Sequence, residues 1–218
     1  MPRILPSNLL PALLLLLLPP ASHPLRDVGD GTPVSVRSQF EEFPYPPTKP
    51  PPARPGDRPV LQSPSHLVEV NHYLWGGRRD FCGAGKDRFR VLVAGGGTGG
   101  KTLQLAQQLV DMGARHSEIV HLDLSATSVG VAERELKKRG LDHKVRFVRA
   151  SVLDAPGLGL GTFDYIDCLG VLNTLAEPWQ GLDALRRLLK PHGGMGVSGA
   201  RPTVYTGAYP GVYMGARG

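Results

Sequence analysis

A chain of 218 residues with 41% hydrophobic composition can hold one core of ordinary size, and its net charge of +6 forms no continuous basic stripe. Its 28 glycines and 21 prolines are unevenly placed, most of the prolines falling before Val60. Cys82 and Cys168 lie far apart, so two free thiols are the default, and nothing in the sequence supplies the proximity a disulfide needs.

At the start of the chain, Arg3 and the apolar run Leu9 to Leu18 read as a signal or leader segment over residues 1–22, with Ala21-Ser22 near a cleavage site. The run is too short to span a bilayer. Four prolines within and around it and a poor small-residue pattern stand against secretion, which leaves an organellar leader, a misassigned start or a cytoplasmic protein as alternatives. Residues 23–59 follow as a Pro-rich tail or linker. Their stretch FPYPPTKPPPARPGDRP has no apolar period and favours extended backbone without a fixed fold. Residues 60–218 have the composition of one domain of roughly 160 residues.

From Arg90 the apolar pattern alternates strand with helix, which predicts an α/β domain with a mostly parallel sheet covered on both faces. A strand over Arg90–Ala94 runs into a glycine-rich turn. A helix from about Lys101 to Met112 presents Leu103, Ala106, Leu109 and Val110, and Gly113 stops it. The second strand, Ile119–Leu122, closes at Asp123, and Ser125 stands where the next helix needs its N-cap. Val129, Ala132 and Leu136 mark that helix, with Gly140 placed to end it in a left-handed turn. Further strands are predicted over Val145–Val148 and Phe163–Leu169. A helix from about Trp179 to Leu189, a turn at Pro191 and Gly193-Gly194, and a fifth strand over Met195–Ser198 complete the pattern. Only about twenty residues remain, which predicts a sheet incomplete at its C-terminal side, with one edge of the fifth strand bare.

The turn AGGGTGGKT, Ala94 to Thr102, satisfies three patterns at once. Gly95, Gly97 and Gly99 fit a methyltransferase-type turn, and Gly95, Gly97 and Gly100 fit a dinucleotide turn. Gly95, Gly100, Lys101 and Thr102 fit a phosphate loop. In each, missing Cβ atoms let a ligand approach a helix N-terminus. Asp123 stands where an acidic side chain meets ribose hydroxyls, and capping of the next helix is a compatible role. The densest basic stretch comprises Arg134, Lys137, Lys138, Arg139, Lys144, Arg146 and Arg149, interrupted by Glu133, Glu135 and Asp142. It reads first as a solvated helix face and loop, second as a phosphate- or RNA-binding patch.

Downstream, FDYIDCLGVLNTL (163–175) resembles the fourth-strand motif of class I S-adenosylmethionine-dependent methyltransferases. LLKPHGGM (188–195) is similar to the turn before their fifth strand. With VRSQFEEFPYP (36–46) and NHYLWGGRRDF (71–81), the set resembles a mostly bacterial subgroup with a Q-Y-E-E-x-P-Y-P segment. The resemblance implies a Rossmann-like fold with S-adenosyl-L-methionine as cofactor. It puts Gly95, Gly96, Gly97, Thr98 and Gly99 against the methionine part, Asp123 on the ribose, and Leu124, Ser151 and Val152 by the adenine. Cys168 and Leu169 would form the floor, although a buried structural thiol is the alternative for Cys168.

Three departures bear on activity: Lys101 replaces an acidic or polar residue, Asn173-Thr174 replaces a His-His-like pair, and the last strands are missing. No catalytic base can be named, His72, Tyr73 and Asn173 being candidates by position only, and no metal site is expected. The methyl acceptor, any partner and the oligomeric state stay open. Phe43 and Tyr45 are expected to fold over the cofactor cleft as a lid. The competing readings are a nucleotide-binding protein using Gly95–Thr102 as a phosphate loop, and a truncated remnant that binds cofactor without turnover.

Overall fold

Five apolar strands alternating with helices build a parallel sheet in a computed structural model that describes residues 34–45, 66–82, 88–198 and 212–215. The leader segment 1–22 and most of the Pro-rich stretch lie outside the described residues. Strands β1 (Arg90–Ala94), β2 (Glu118–Asp123), β3 (Val145–Arg149), β4 (Phe163–Leu169) and β5 (Leu189–Ser198) pair parallel, and β6 (Val212–Gly215) pairs antiparallel with β5. The spatial order is β3-β2-β1-β4-β5-β6. The chain winds outward one way from β1 and then the other way from β4. Between these two strands lies the switch point at which open α/β sheets form their ligand clefts, beyond the carboxyl ends of the strands.

The described residues form the helices α1 (Val34–Glu42), α2 (Leu67–Trp75), α3 (Gly100–Asp111), α4 (Ala126–Lys138) and α5 (Pro178–Arg186). Period-two alternation along β1 sends Val91 and Val93 into one core and Leu92 and Ala94 into the other. The first core receives Leu105 and Leu109 of α3, Leu136 of α4 and Leu67 and Val70 of α2. The second receives Leu185 of α5 together with Ile166, Cys168 and Met195. With both faces covered, β1, β2 and β4 bury nearly every residue, whereas the outer strand β3 exposes Arg146 and Arg149.

Local signals behave as their chemistry requires. Ser125 caps α4 by accepting the Ser128 N–H, and Gly140, at φ 69°, carries the chain out of that helix. Three features depart from the sequence reading. Within the segment read as an unstructured tail, residues 34–42 form α1. The fifth strand begins at Leu189, so Pro191 and Gly193-Gly194 lie within an irregular strand and not in a turn before it. There the register jumps from the Phe163–Leu189 pair to Tyr165–Gly194, and a Cβ on Gly193 would stand 2.8 Å from the Phe163 carbonyl oxygen. The edge of β5 expected to be bare carries β6 along Gly194–Val197.

Candidate functional site

The glycine bend leaves β1 at the switch point and is tied at once to its neighbour strand, Gly95 and Gly96 both donating their N–H to the Leu122 carbonyl at 2.8 and 3.0 Å. Gly95 holds φ at 70°, and a Cβ there would press 2.1 Å from the Val171 side chain. A Cβ on Gly96 would stand 2.3 Å from the His121 ring. The bend therefore lies flush against two side chains that only glycine leaves room for.

At the end of β2, the Asp123 carboxylate accepts the Gly97 N–H at 2.7 Å through one oxygen and the Ser125 N–H at 2.9 Å through the other. Burial pushes this carboxyl up from its usual 3.8, while those N–H groups work in the opposite direction. The Leu124 N–H is a third donor to this carboxylate, and an ionised carboxylate offers about four acceptor positions, so acceptor capacity remains beyond the three backbone groups.

Over this floor lies α1. Glu41 accepts hydrogen bonds from the Ala126 N–H (2.9 Å), the Thr127 N–H (3.2 Å) and the Thr127 hydroxyl (3.0 Å), occupying the positive end of α4. Arg149 reaches the same carboxylate at 3.3 Å. Partial burial works to raise the Glu41 carboxyl, but these N–H and hydroxyl donors outweigh it and hold it below 4.5. Three residues past α1, the Tyr45 carbonyl accepts the Thr98 N–H at 3.2 Å. The segment is thus fastened both to α4 and to the bend.

A cavity of about 140 Å³ remains between α1 and the sheet. Gly95, Gly97, Asp123, Leu124, Ser151 and Val152 line it, as do Leu169, Gly170, Val171, Thr174 and Leu175. Val36, Phe40 and Tyr45 close it from above, and Ser128 and Ala150 complete the wall. Phe43, expected beside Tyr45 over the cleft, is 65% exposed and absent from the lining. Gly96, Thr98, Gly99 and Cys168 also stand outside the lining. Gly96 packs on His121, a Cβ on Gly99 would stand 2.7 Å from that of Ala132, and Cys168 is fully buried in the core with its thiol pushed far up by burial.

Of the candidate bases, exposed Asn173 lies in a short 3-10 turn whose next residue, Thr174, faces the cavity. His72 and Tyr73 are exposed on α2 and line no part of it. Among the described residues no cluster of three His, Cys, Asp or Glu could hold a metal, and no helix is long and apolar enough to cross a membrane.

The residues that suggested a phosphate loop point elsewhere. Lys101 reaches into the sheet to the buried Asp167 carboxylate at 3.2 Å, which also accepts the Tyr165 hydroxyl at 3.2 Å. Thr102 Oγ1 lies 2.8 Å from His121 Nδ1, and both side chains are fully buried. Burial brings His121 down from 6.5 to about 4, the Gly97 backbone beside it working the other way. Among the described residues no lysine or arginine lines the cavity. A polyphosphate would find no cation there.

The "Methyltransferase domain" family matches residues 92–195, from β1 into β5. An uncharacterised protein of Synechococcus is 32% identical over 75% of this chain and 36% of its own length. A ubiquinone/menaquinone biosynthesis C-methyltransferase of Idiomarina loihiensis is 30% identical over 56% of this chain and 47% of its own. The chain spans less than half the length of either relative. A solved S-adenosylmethionine-dependent methyltransferase of Thiobacillus denitrificans, in complex with S-adenosyl-L-homocysteine, matches with a TM-score of 0.41 and 23% identity, over 50% of this chain and 41% of that one.

Proposed function

We propose that this chain, placed by residues 92–195 among the class I S-adenosylmethionine-dependent methyltransferases, holds its methyl donor in the cavity between α1 and the glycine bend. One observation carries this reading. The cavity joins a glycine bend without Cβ atoms to a buried carboxylate with acceptor capacity to spare, and among the described residues no basic side chain lines it. That donor set suits a nucleoside bearing a sulfonium and two ribose hydroxyls, and it repels a triphosphate.

Asp123 would take the ribose through the acceptor capacity left beyond the Gly97, Ser125 and Leu124 N–H groups. Leu124 and Val152 would flank the adenine, with Ser151 offering a hydroxyl in place of an acidic contact to its amine. Gly95, Gly97 and Gly170 would let the backbone close on the methionine end. Bound S-adenosylmethionine supplies an electrophilic methyl group on sulfur, and transfer needs mainly that donor and acceptor be held in line. The chain's part is to bind, orient and exclude water, and no general base is required of it for an acceptor that is already nucleophilic.

The cavity is smaller than the ~300 Å³ at which ligand pockets usually begin. Filling it requires Phe40 and Tyr45 to lift, which makes α1 a gate fastened by Glu41. Calorimetric titration with S-adenosylhomocysteine tests the reading. Binding is expected to be saturable and to weaken strongly in Asp123→Ala, while a parallel titration with ATP and Mg²⁺ gives no heat. Binding of ATP but not of the homocysteine product would refute it.

A further inference from the structure

At the other end of the sheet, the N-terminal ends of the strands frame a second cavity of about 320 Å³. Arg88 enters it from the approach to β1, Arg115 and His116 from the turn before β2, and His143, Lys144 and Arg146 from the entry to β3. Among the described residues Glu118 is the one carboxylate in the lining, and Arg90 already holds it at 2.9 Å. Arg88, Arg115 and Arg146 are exposed, and none has a carboxylate within ion-pair distance among the described residues. Lys144 is buried, its ammonium donating to the Ala114 and Arg115 carbonyls at 2.8 and 2.9 Å, so its charge is fixed in the cavity wall.

The basic stretch of residues 134–149 is thereby divided. Lys138 pairs with Glu135 and Arg149 with Glu41, both away from this cavity. Lys144 and Arg146 instead join cations contributed by two other chain segments. Among the described residues, four basic side chains face one hollow with a single, already paired, carboxylate. Holding them together without an anion costs Coulomb energy, so the arrangement favours a ligand with several negative charges.

We propose that this hollow grips the phosphodiester backbone of a nucleic-acid strand. The lining offers guanidinium and imidazole donors but no apolar slot to enclose a base, so contacts would go to phosphates and carry no sequence information. Exposed arginines on three segments suit a chain of phosphates passing across the opening better than one enclosed small anion. The cavity lies about 17 Å of strand from the glycine bend, so the proposal does not depend on what the first pocket binds.

Fluorescence anisotropy with a labelled twelve-nucleotide oligouridylate at 50 and 200 mM salt tests it. Arg115→Ala with Arg146→Ala should weaken binding at least tenfold at low salt. The same pair should flatten the logarithmic salt dependence by about 1.4, because each single-strand phosphate left without its arginine takes about 0.7 from the slope. Arg134→Ala with Lys137→Ala, an equal reduction of charge on α4, should change it less than twofold. Equal effects of the two pairs would reduce the finding to net charge and overturn the proposal, as would absence of binding by the wild-type chain. Tripolyphosphate provides the other arm: tighter binding of it than of the oligonucleotide, abolished in the same variant, would assign the hollow to a small polyanion instead. Circular dichroism checks folding, and Arg88→Gln on the rim serves if the double variant unfolds, with a threefold loss expected.

Discussion

The Asp123 carboxylate holds the Gly97 N–H at 2.7 Å, so the acidic end of β2 and the apex of the glycine bend are fixed to one another before any ligand arrives. A ligand that spans sugar and sulfonium meets both ends already positioned, which lowers the ordering cost of binding. Asp123→Ala removes the carboxylate proposed to hold the ribose and also releases the bend. We expect affinity for S-adenosylhomocysteine to fall by about 10- to 100-fold, the scale of one or two hydrogen bonds to a charged group. Asp123→Asn, which keeps one acceptor but turns an NH2 toward an N–H donor, should lie between. Titration calorimetry of the three proteins at pH 7 measures it, and unchanged affinity in the alanine variant would remove Asp123 from the site.

His121 supports the bend from below, and its ring occupies the space a Cβ on Gly96 would need. Gly96→Ala should therefore cost about 1 to 3 kcal/mol by overpacking, and His121→Ala should relieve much of that cost when the two are combined. The imidazole also makes stability depend on pH. Its folded value of about 4 lies below the ordinary 6.5, so between these values the unfolded chain binds a proton that the folded chain does not. Stability then rises with pH across that window, by about 3 kcal/mol. His121→Asn keeps a partner for Thr102 and should lose this part of the rise. Urea denaturation of both proteins at pH 4.5 and 7 reads the difference, in which the buried Asp123 and Asp167 cancel.

What the sequence made legible was local. A strand followed by glycines, and a strand ending in an acidic residue before a serine cap, announce themselves within a dozen residues. The bend, Asp123, Ser125 and the five parallel strands were all readable that way. Glu41 was not, because its partners lie 84 to 108 residues away and the short α1 is hidden among prolines. The ambiguity of Lys101 had the same origin. Its spacing from Gly95 fits a phosphate loop, and only Asp167 on β4, far along the chain, shows where the ammonium goes. Thr174 faces the pocket while Asn173 does not, a difference set by one 3-10 turn that periodicity cannot resolve.

Lys101 and Asp167 form a buried pair whose removal should be felt in stability before function. The Asp167 side chain is 2% exposed and that of Lys101 12%. Burial pushes the Asp167 carboxyl up, and the ammonium opposes it. Lys101→Met leaves that carboxylate with only the Tyr165 hydroxyl among these partners, and a loss of about 3 to 5 kcal/mol is expected. Adding Asp167→Asn, which removes the orphaned charge and keeps the tyrosine contact, should recover more than half. Urea midpoints of the three proteins test this. A Lys101→Met protein as stable as the wild type would show that the ion pair does not hold the sheet.

Glu41 is the fastening whose loss should be visible in rates. Its carboxylate takes two backbone N–H groups at the start of α4 and the Arg149 guanidinium, and in doing so keeps Phe40 and Tyr45 over the cavity. Because those donors hold the Glu41 carboxyl below 4.5, its contribution to closure is complete above that pH and is lost as pH falls through the depressed value. Glu41→Gln keeps the shape of the side chain but weakens charge-assisted bonds to neutral ones. We expect S-adenosylhomocysteine to dissociate about tenfold faster, a change of about 1.4 kcal/mol, with association little altered. Deleting residues 34–45 should accelerate release further, and both variants should lose the acid-dependent increase in release expected of the wild type as Glu41 protonates below pH 4.5. Dissociation of radiolabelled ligand chased with excess unlabelled compound gives the rates directly. Equal rates in the wild type, the glutamine variant and the deletion would mean that α1 rests on the pocket without closing it.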